Sequence, residues 1–166
     1  SNINTDNLAN SRIVVLRNFN ESSLKLNFHT DFRSPKIKDL KINNHSYFVF
    51  YDSKIKIQLR VKTTSIINHK NNITKNAWEN TRLFSRKCYL TESAPSSLSD
   101  LPKDGIPNHL KGIDPQQDES EKGYENFIVV ENKIQNIDWL YLNSSGHRRL
   151  NINFKGSKIL FNWMIP

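Results

Sequence analysis

The segment from Thr30 to Lys36 combines side chains and local structure that can hold a phosphate. Ser34 is a favoured helix N-cap, and Pro35 follows at the first helical position, where its missing N–H costs nothing. The first backbone amides of such a helix lack partners, and the helix dipole favours an anion there. Lys36 adds a full positive charge, and the hydroxyls of Thr30 and Ser34 can donate hydrogen bonds. The same pattern is also typical of an ordinary capped surface helix.

Two arginines bracket a short apolar run just before this segment. We predict a strand over Arg12–Leu16, with Leu24–Thr30 as its hairpin partner across a link rich in turn formers. Arg17 follows the first strand, so the hairpin would carry its guanidinium towards the helix start. There it can bind the same phosphate in a bidentate fork. Together these residues point towards a phosphorylated cofactor.

Two further polar groups are candidates for binding. Gln58 and Arg60 fall on the polar face of the alternating run Lys54–Thr64, and the Gln amide suits the edge of a flavin or purine ring. A solvent-facing strand has the same pattern. His147 and Arg149 precede a predicted strand and can bind an anionic substrate or stabilise developing negative charge. A basic turn without function explains them equally well.

Composition excludes several classes of protein. The 166 residues suffice for one domain with a real core. No stretch approaches the roughly 18 apolar residues that span a bilayer, and the first residues are too polar for a signal peptide. The single cysteine, Cys88, cannot form an intramolecular disulfide, so we expect a cytoplasmic protein that contacts no membrane. Histidine and cysteine spacing predicts no metal site, and no glycine-rich phosphate loop or nucleophile elbow occurs.

The net charge of +8 suits an anionic partner, although a basic surface need have no partner at all. Lysine and arginine are dense from residue 12 to residue 87, whereas residues 91–125 lean acidic. This asymmetry favours a localised anion site over a nucleic-acid track. The polar face of residues 54–62 lacks the aromatic platforms on which bases stack, so no nucleic-acid partner is expected. Trp139 either belongs to the core or stacks on a planar ligand.

Short alternating runs dominate the rest of the chain and favour a small barrel over a doubly wound fold. The further predicted strands are Tyr47–Tyr51 (as a central strand), Lys54–Thr64, Phe127–Val130, Ile134–Leu142, Arg148–Phe154 and Lys158–Trp163. Helices are predicted from Ser34 and over Lys75–Lys87. Residues 91–124 hold four of the six prolines and are predicted to form a long, mobile loop within a single domain of residues 1–166.

Taken in order, these segments resemble the pyridoxamine 5'-phosphate oxidase family, in particular its FMN-binding split-barrel members of unassigned substrate. The matching motifs are Arg-x-Val-x-Leu-Arg/Lys at residues 12–17, Thr-x-x-x-Ser-x-Lys at residues 30–36 after His29, Phe-Tyr at residues 50–51, Gln-x-Arg at residues 58–60, the helix bearing Trp78 and either Arg82 or Arg86, Arg149-Leu150, and the closing Pro166. Each motif is common by itself, and their order along nearly the whole chain carries the resemblance.

The resemblance implies a six-stranded antiparallel split β-barrel with a few short helices. It also implies a homodimer with FMN at the subunit interface and an anionic small-molecule substrate. The cofactor-binding residues that it implies are Arg12, Ile13, Val14, Val15, Arg17, His29, Thr30, Ser34, Pro35, Lys36, Gln58 and Arg60. On the substrate side it implies Arg149, His147 and Arg82.

Three departures from the family pattern limit what carries over. Pro35 replaces an arginine that binds the flavin phosphate, and Asn151 and Asn153 replace the His and Arg that follow Arg-Leu in true pyridoxamine phosphate oxidases. We therefore predict an FMN-dependent oxidoreductase of unknown substrate. The alternatives are a genuine pyridoxamine or pyridoxine 5'-phosphate oxidase and a barrel that carries flavin or haem without catalysis.

Overall fold

The computed structural model describes residues 1–166 and is dominated by one antiparallel sheet. Its nine strands are β1 (Asn2–Ile3), β2 (Ala9–Asn10), β3 (Asn18–Asn20), β4 (Lys25–Asp31), β5 (His45–Asp52), β6 (Ile57–His69), β7 (Phe127–Tyr141), β8 (Arg148–Lys155) and β9 (Lys158–Met164). Six of them, β4 to β9, have seven residues or more. They are the six strands that the predicted fold class requires.

The helices are short. They are α1 (Pro35–Ile42), α2 (Asn72–Glu79), α3 (Leu83–Arg86) and α4 (Gln117–Glu121), with single 3-10 turns at Lys87–Tyr89, Asn108–Leu110 and Lys122–Asn126. The start of α1 is as predicted, with Ser34 extended at the N-cap and Pro35 in the first turn. None of the helices is both long and apolar enough to cross a membrane.

The sheet divides at β7, which makes the barrel a split one. The strand order is β2-β1-β5-β6-β7-β4-β3, and β6 lies along the whole of β7 on one edge. On the other edge, residues 127–133 of β7 pair with β4, whereas residues 136–141 pair with β8. The β8–β9 hairpin therefore extends away from the half of the sheet that carries α1.

The hydrophobic core lies around the first half of β7. Phe127, Ile128, Val129 and Val130 are at most 1% exposed, because both faces of the strand are covered at this point. One face packs against α1 and β4, and the other packs against α2 through Trp78. In contrast, every residue of β9 is exposed.

Several predicted elements differ from the structure. Residues 12–16 form no strand, because no neighbouring segment pairs with them, and Ile13 is fully exposed. The two strands predicted over residues 127–142 are one, since the side chain of buried Asn132 is satisfied by the carbonyls of Leu26 and Val130 and by Ser65 Oγ. Strand β6 begins at Ile57 rather than at residue 54.

Two more corrections concern residues 47–51 and 75–87. Strand β5 is not central: beyond it lie only the two-residue strands β1 and β2, and its outward side chains are exposed. The helix predicted over residues 75–87 is two helices. The first starts at Asn72, because Asn71 and Thr74 form a capping box, and it ends where the Asn80 amide bonds to the Asn76 carbonyl. Residues 91–124 contain no strand.

Candidate functional site

The start of α1 presents a polar cluster centred on Lys36. The Lys36 ammonium donates to Thr30 Oγ1 at 2.8 Å and to Ser34 Oγ at 2.6 Å. Thr30 lies near the end of β4, and the short turn to α1 brings Ser34 and Lys36 back beside it. The structure thus brings together the three phosphate-binding candidates of this segment, at the amino end of a helix where an anion is favoured.

Arg12 adds a second cation beside this cluster. Its guanidinium donates to Asn2 Oδ1 at 2.5 Å, and Asn2 in turn donates to Asp39 Oδ2 on α1 at 3.0 Å. Burial lowers the pKa of Lys36, and the positive charge of Arg12 lowers it further. Two neighbouring cations that repel one another are stabilised by an anion between them, so the cluster suits a phosphate dianion. Sequence reasoning missed Asn2, which no motif marks.

Lys36, Arg12 and Asn2 line a cleft of about 610 Å³ that we call the Lys36 groove, and Thr30 and Ser34 adjoin it through their bonds to Lys36. Eight of its 14 lining residues are hydrophobic, among them Val14, Phe28, Phe48 and Phe50. A groove of this size, with an apolar wall and cations at one end, is typical of a site for a planar cofactor that carries a phosphate. The residues present therefore fit FMN: Lys36, Arg12, Thr30 and Ser34 would hold its phosphate, and the apolar wall would receive its ring.

A second cleft of about 690 Å³, the Arg82 groove, is predominantly polar. Only three of its 12 lining residues are hydrophobic, and its polar residues include Arg17, His29, Arg82 and Ser85. The ring of His29 packs edge-on against Phe127, with centroids 4.8 Å apart. Burial lowers the pKa of His29 to about 4, helped by the charge of Arg17, so the imidazole is neutral at pH 7. Two arginines beside a neutral imidazole suit an anionic ligand.

The predicted meeting of Arg17 and His29 with Lys36 does not occur within the chain. Arg12 and Val14 line the Lys36 groove, whereas Arg17 lines the other one. In β4, successive side chains point to opposite sides of the sheet, so Phe28 faces the Lys36 groove and His29 faces the Arg82 groove. Of the intervening residues, Ile13 also lines the Lys36 groove, whereas Val15 is 61% exposed.

The remaining cofactor candidates lie elsewhere. Gln58 and Arg60 project from the face of β6 opposite to Leu59 and Val61, which pack into the core. The chain alone does not bring them to the Lys36 groove, and whether a second subunit does so stays a prediction. Pro35 is exposed at the start of α1.

The substrate-side candidates are not brought together in one chain. Arg82 lines the Arg82 groove, whereas Arg149 lies on β8 and His147 in the turn before it. His147 Nδ1 accepts a hydrogen bond from the backbone amide of Asn143 at 3.1 Å, so it shapes the turn. Trp139, for which the sequence allowed either a core position or stacking on a ligand, is half-buried. It packs with Tyr141 and Trp163 in an aromatic group.

Asp138 is a residue that sequence reasoning missed. Its carboxylate accepts from Arg149 Nη2 at 2.7 Å and from Arg60 Nη2 at 2.6 Å. The hydrogen bonds from Arg149 chiefly, and from Arg60 as well, hold its pKa below the ordinary value. The sequence does mark this residue, because Asp138 is the only acidic residue after Glu131 and is a natural partner for the arginines of that region. Arg60, predicted to bind the cofactor, and Arg149, predicted for the substrate side, therefore share one carboxylate.

Next to this ion pair, the two asparagines that depart from the family pattern form an amide cluster. Asn136 Nδ2 donates to the side-chain oxygens of Asn151 and Asn153, both at 2.9 Å. Asn153 also donates to Asn151 at 2.6 Å. The positions that carry His and Arg in the family pattern are thus occupied by uncharged side chains that bond to one another.

The fold and the Lys36 groove define a split-barrel protein with a cleft suited to a phosphate-bearing ligand. Comparisons with known proteins agree with this class. Residues 2–69 match the family model of the pyridoxamine 5'-phosphate oxidase FMN-binding domain. This range contains every lining residue of the Lys36 groove except Ser1. The predicted resemblance to that family is confirmed, and FMN is the cofactor named for the matched domain. No curated protein matches the sequence.

Two solved structures share the fold over nearly the whole chain. A pyridoxamine 5'-phosphate oxidase-related, FMN-binding protein from Nostoc punctiforme superposes with a TM-score of 0.79 at 16% identity, covering 99% of this chain and 84% of that one. PhzG from Burkholderia lata, solved with tetrahydrophenazine-1-carboxylic acid, superposes with a TM-score of 0.74 at 11% identity, covering 98% and 78%. The predicted fold class is thereby confirmed.

Proposed function

We propose that the protein binds FMN in the Lys36 groove. The observation that carries this proposal is the position of Lys36, which bonds to Thr30 and Ser34 at the start of α1 and lies close to Arg12. The phosphate would lie between these cations, and the ring would lie along the wall formed by Val14, Phe48 and Phe50. The matched FMN-binding family model supports the proposal independently.

We further propose that the protein is an FMN-dependent oxidoreductase. Bound FMN would supply hydride or electron transfer, and the chain would bind, orient and shield it. The Arg82 groove offers Arg17, Arg82 and Ser85 to the negative group of a substrate. Asn151 and Asn153 speak against pyridoxamine 5'-phosphate as that substrate, because they bond to one another and carry no charge. Arg149 is partly neutralised by Asp138 and is a weaker candidate than Arg82.

We propose that a second copy of the chain covers the β8–β9 hairpin and completes the cofactor site. Strand β9 and the residue after it expose six large apolar side chains: Ile159, Leu160, Phe161, Trp163, Met164 and Ile165. An apolar surface of this extent is typical of an interface. Phe161→Glu is expected to shift the mass in solution from dimer to monomer, as measured by light scattering after gel filtration. A cytoplasmic location remains a prediction from the single cysteine.

Titration with FMN tests the cofactor proposal directly. Saturable quenching of FMN fluorescence, with weaker binding of riboflavin because it lacks the phosphate, is the expected result. Equal binding of both flavins would show that the phosphate contributes nothing to binding. No binding of either flavin would refute the proposal. A second assay, reduction of the bound flavin by NADH or NADPH, distinguishes an oxidoreductase from a flavin carrier: reduction supports catalysis, and its absence favours the carrier.

A further inference from the structure

Arg33 occupies the turn between β4 and α1 and makes an ion pair that no sequence motif indicates. Its Nε and Nη2 atoms donate to the two oxygens of Asp31 at 3.1 and 2.7 Å, and its backbone amide donates to the same carboxylate at 2.7 Å. Asp31 is only 5% exposed. A buried carboxylate is costly unless it is paired and hydrogen-bonded, and Arg33 supplies both conditions.

The other side of the Arg33 guanidinium fixes the turn to a distant segment. Nη1 donates to the Thr91 carbonyl and Nη2 to Thr91 Oγ1, each at 3.0 Å. Thr91 is held in turn, because its hydroxyl donates to the Ser93 carbonyl. Arg33 therefore holds the turn of residues 31–34 in two ways. It bonds to Asp31 inside the turn and to Thr91 in a distant segment.

Asp31 lies close enough to Lys36 for its charge to influence that ammonium group, so the neutralisation of Asp31 affects Lys36. Burial and Arg12 lower the pKa of Lys36, whereas the Asp31 carboxylate acts in the opposite direction, so its charge reaches Lys36. Ser34, which bonds to Lys36, donates its backbone amide to the Asp31 carbonyl at 3.1 Å. An unpaired carboxylate here would attract Lys36 and repel an incoming phosphate.

We propose that Arg33 is a positioning residue of the FMN phosphate site. Its main effect is to neutralise Asp31, so that the charge of Lys36 is directed to the phosphate, and its bonds to Thr91 help to hold the turn that presents Ser34 and Lys36. This inference rests on the proposed binding of FMN in the Lys36 groove. Arg33 itself does not contact the phosphate, since its guanidinium is occupied by Asp31 and Thr91.

The test compares FMN with riboflavin in fluorescence titrations of the folded dimer or monomer as purified. Arg33→Ala is expected to weaken FMN binding roughly tenfold and to leave riboflavin binding unchanged, because only the phosphate senses Asp31. The double variant Asp31→Asn/Arg33→Ala removes both charges and is expected to recover most of the lost FMN affinity. In a Lys36→Ala background, Arg33→Ala is expected to have little further effect, because Arg33 acts through Lys36.

The outcomes distinguish a failure of the role proposed for Arg33 from a failure of the proposed FMN binding in the Lys36 groove. If the unaltered protein binds neither flavin, both are overturned. If it prefers FMN and Arg33→Ala keeps that preference, or loses both flavins equally, only the role of Arg33 is overturned. Should Arg33→Ala fail to fold, Asp31→Asn provides the second test. It leaves Arg33 as an additional cation, so FMN affinity must hold or rise, and a selective loss of FMN binding overturns the inference.

Discussion

The Lys36 groove and the Arg82 groove lie on opposite sides of β4 and are similar in size, but they differ in almost every other property. The first has an apolar wall with two cations at one end, whereas the second is lined by polar residues, two arginines and a neutral histidine. Their difference shows how a two-residue period distributes one short stretch of sequence between two sites. The predictions that follow test the properties that distinguish the two grooves, from the largest expected effect to the smallest.

The largest expected effect is a fall in the free energy of unfolding at acid pH, caused by His29 in the Arg82 groove. The folded state keeps His29 neutral down to a pKa of about 4, whereas the unfolded chain takes up the proton below about 6.5. Between these values the unfolded state binds more protons, so stability falls as the pH falls, by at most about 3 kcal/mol at pH 4 and by less to the extent that solvent screens this partly exposed ring. Urea unfolding from pH 7.5 to pH 4 measures the fall.

His29→Gln provides the control for that experiment. Carboxylates titrate in the same range in both proteins, so the difference between the two pH profiles isolates His29. The profiles are expected to diverge below pH 6.5 and to run parallel above it. Profiles that stay parallel down to pH 4 would show that the imidazole can take up a proton where it lies.

The second prediction concerns the cofactor end of the Lys36 groove. Lys36→Ala is expected to weaken FMN binding by about 2 kcal/mol, or roughly thirtyfold, because a charge-assisted hydrogen bond to the phosphate is lost. Arg82→Ala, on the opposite side of β4, is expected to leave FMN affinity unchanged. Equal losses in both variants would contradict the assignment of the phosphate to the Lys36 groove.

The third prediction concerns the anion capacity of the Arg82 groove, with inorganic phosphate as the probe. Phosphate is expected to shift the amide NMR signals of Asn80, Thr81 and Ser85, which line this groove. Arg82→Ala is expected to weaken that binding about tenfold. Arg148→Ala is a matched control, since Arg148 is exposed on β8 and lines neither groove. A loss of the same size in the control would indicate general charge attraction rather than a site.

The smallest effect is expected at Asn27, which lines the Arg82 groove and whose buried Oδ1 has no hydrogen-bond partner. Asn27→Ala removes this unsatisfied oxygen, so the free energy of unfolding is expected to change by less than about 1 kcal/mol. Asn132, on the neighbouring strand β7 and fully buried, makes three side-chain hydrogen bonds. Its replacement by alanine is expected to cost clearly more. Similar costs for both variants in urea unfolding would mean that Asn27 is bonded in solution.

The contrast between predicted and observed strands follows from how far the relevant interactions reach. Strands β8 and β9 were predicted nearly to the residue, because alternation and the turns between them are local. The strand predicted at residues 12–16 was wrong, because pairing needs a neighbour that the sequence pattern does not specify. The continuity of β7 through Asn132 was missed for the same reason, since its amide is satisfied by β4 and β6.

The sequence by itself determined the start of α1, the close approach of Thr30, Ser34 and Lys36, the mainly antiparallel β fold and the resemblance to an FMN-binding family. These depend on capping, on the period of side chains and on motif order, all of which act over a few residues. Only the tertiary structure decided that Arg12 and Arg17 face different grooves and that Asp138 joins Arg60 to Arg149. It also decided that Arg33 neutralises Asp31. Those contacts depend on strand register and on chain direction at turns, which are fixed only when the whole sheet is assembled.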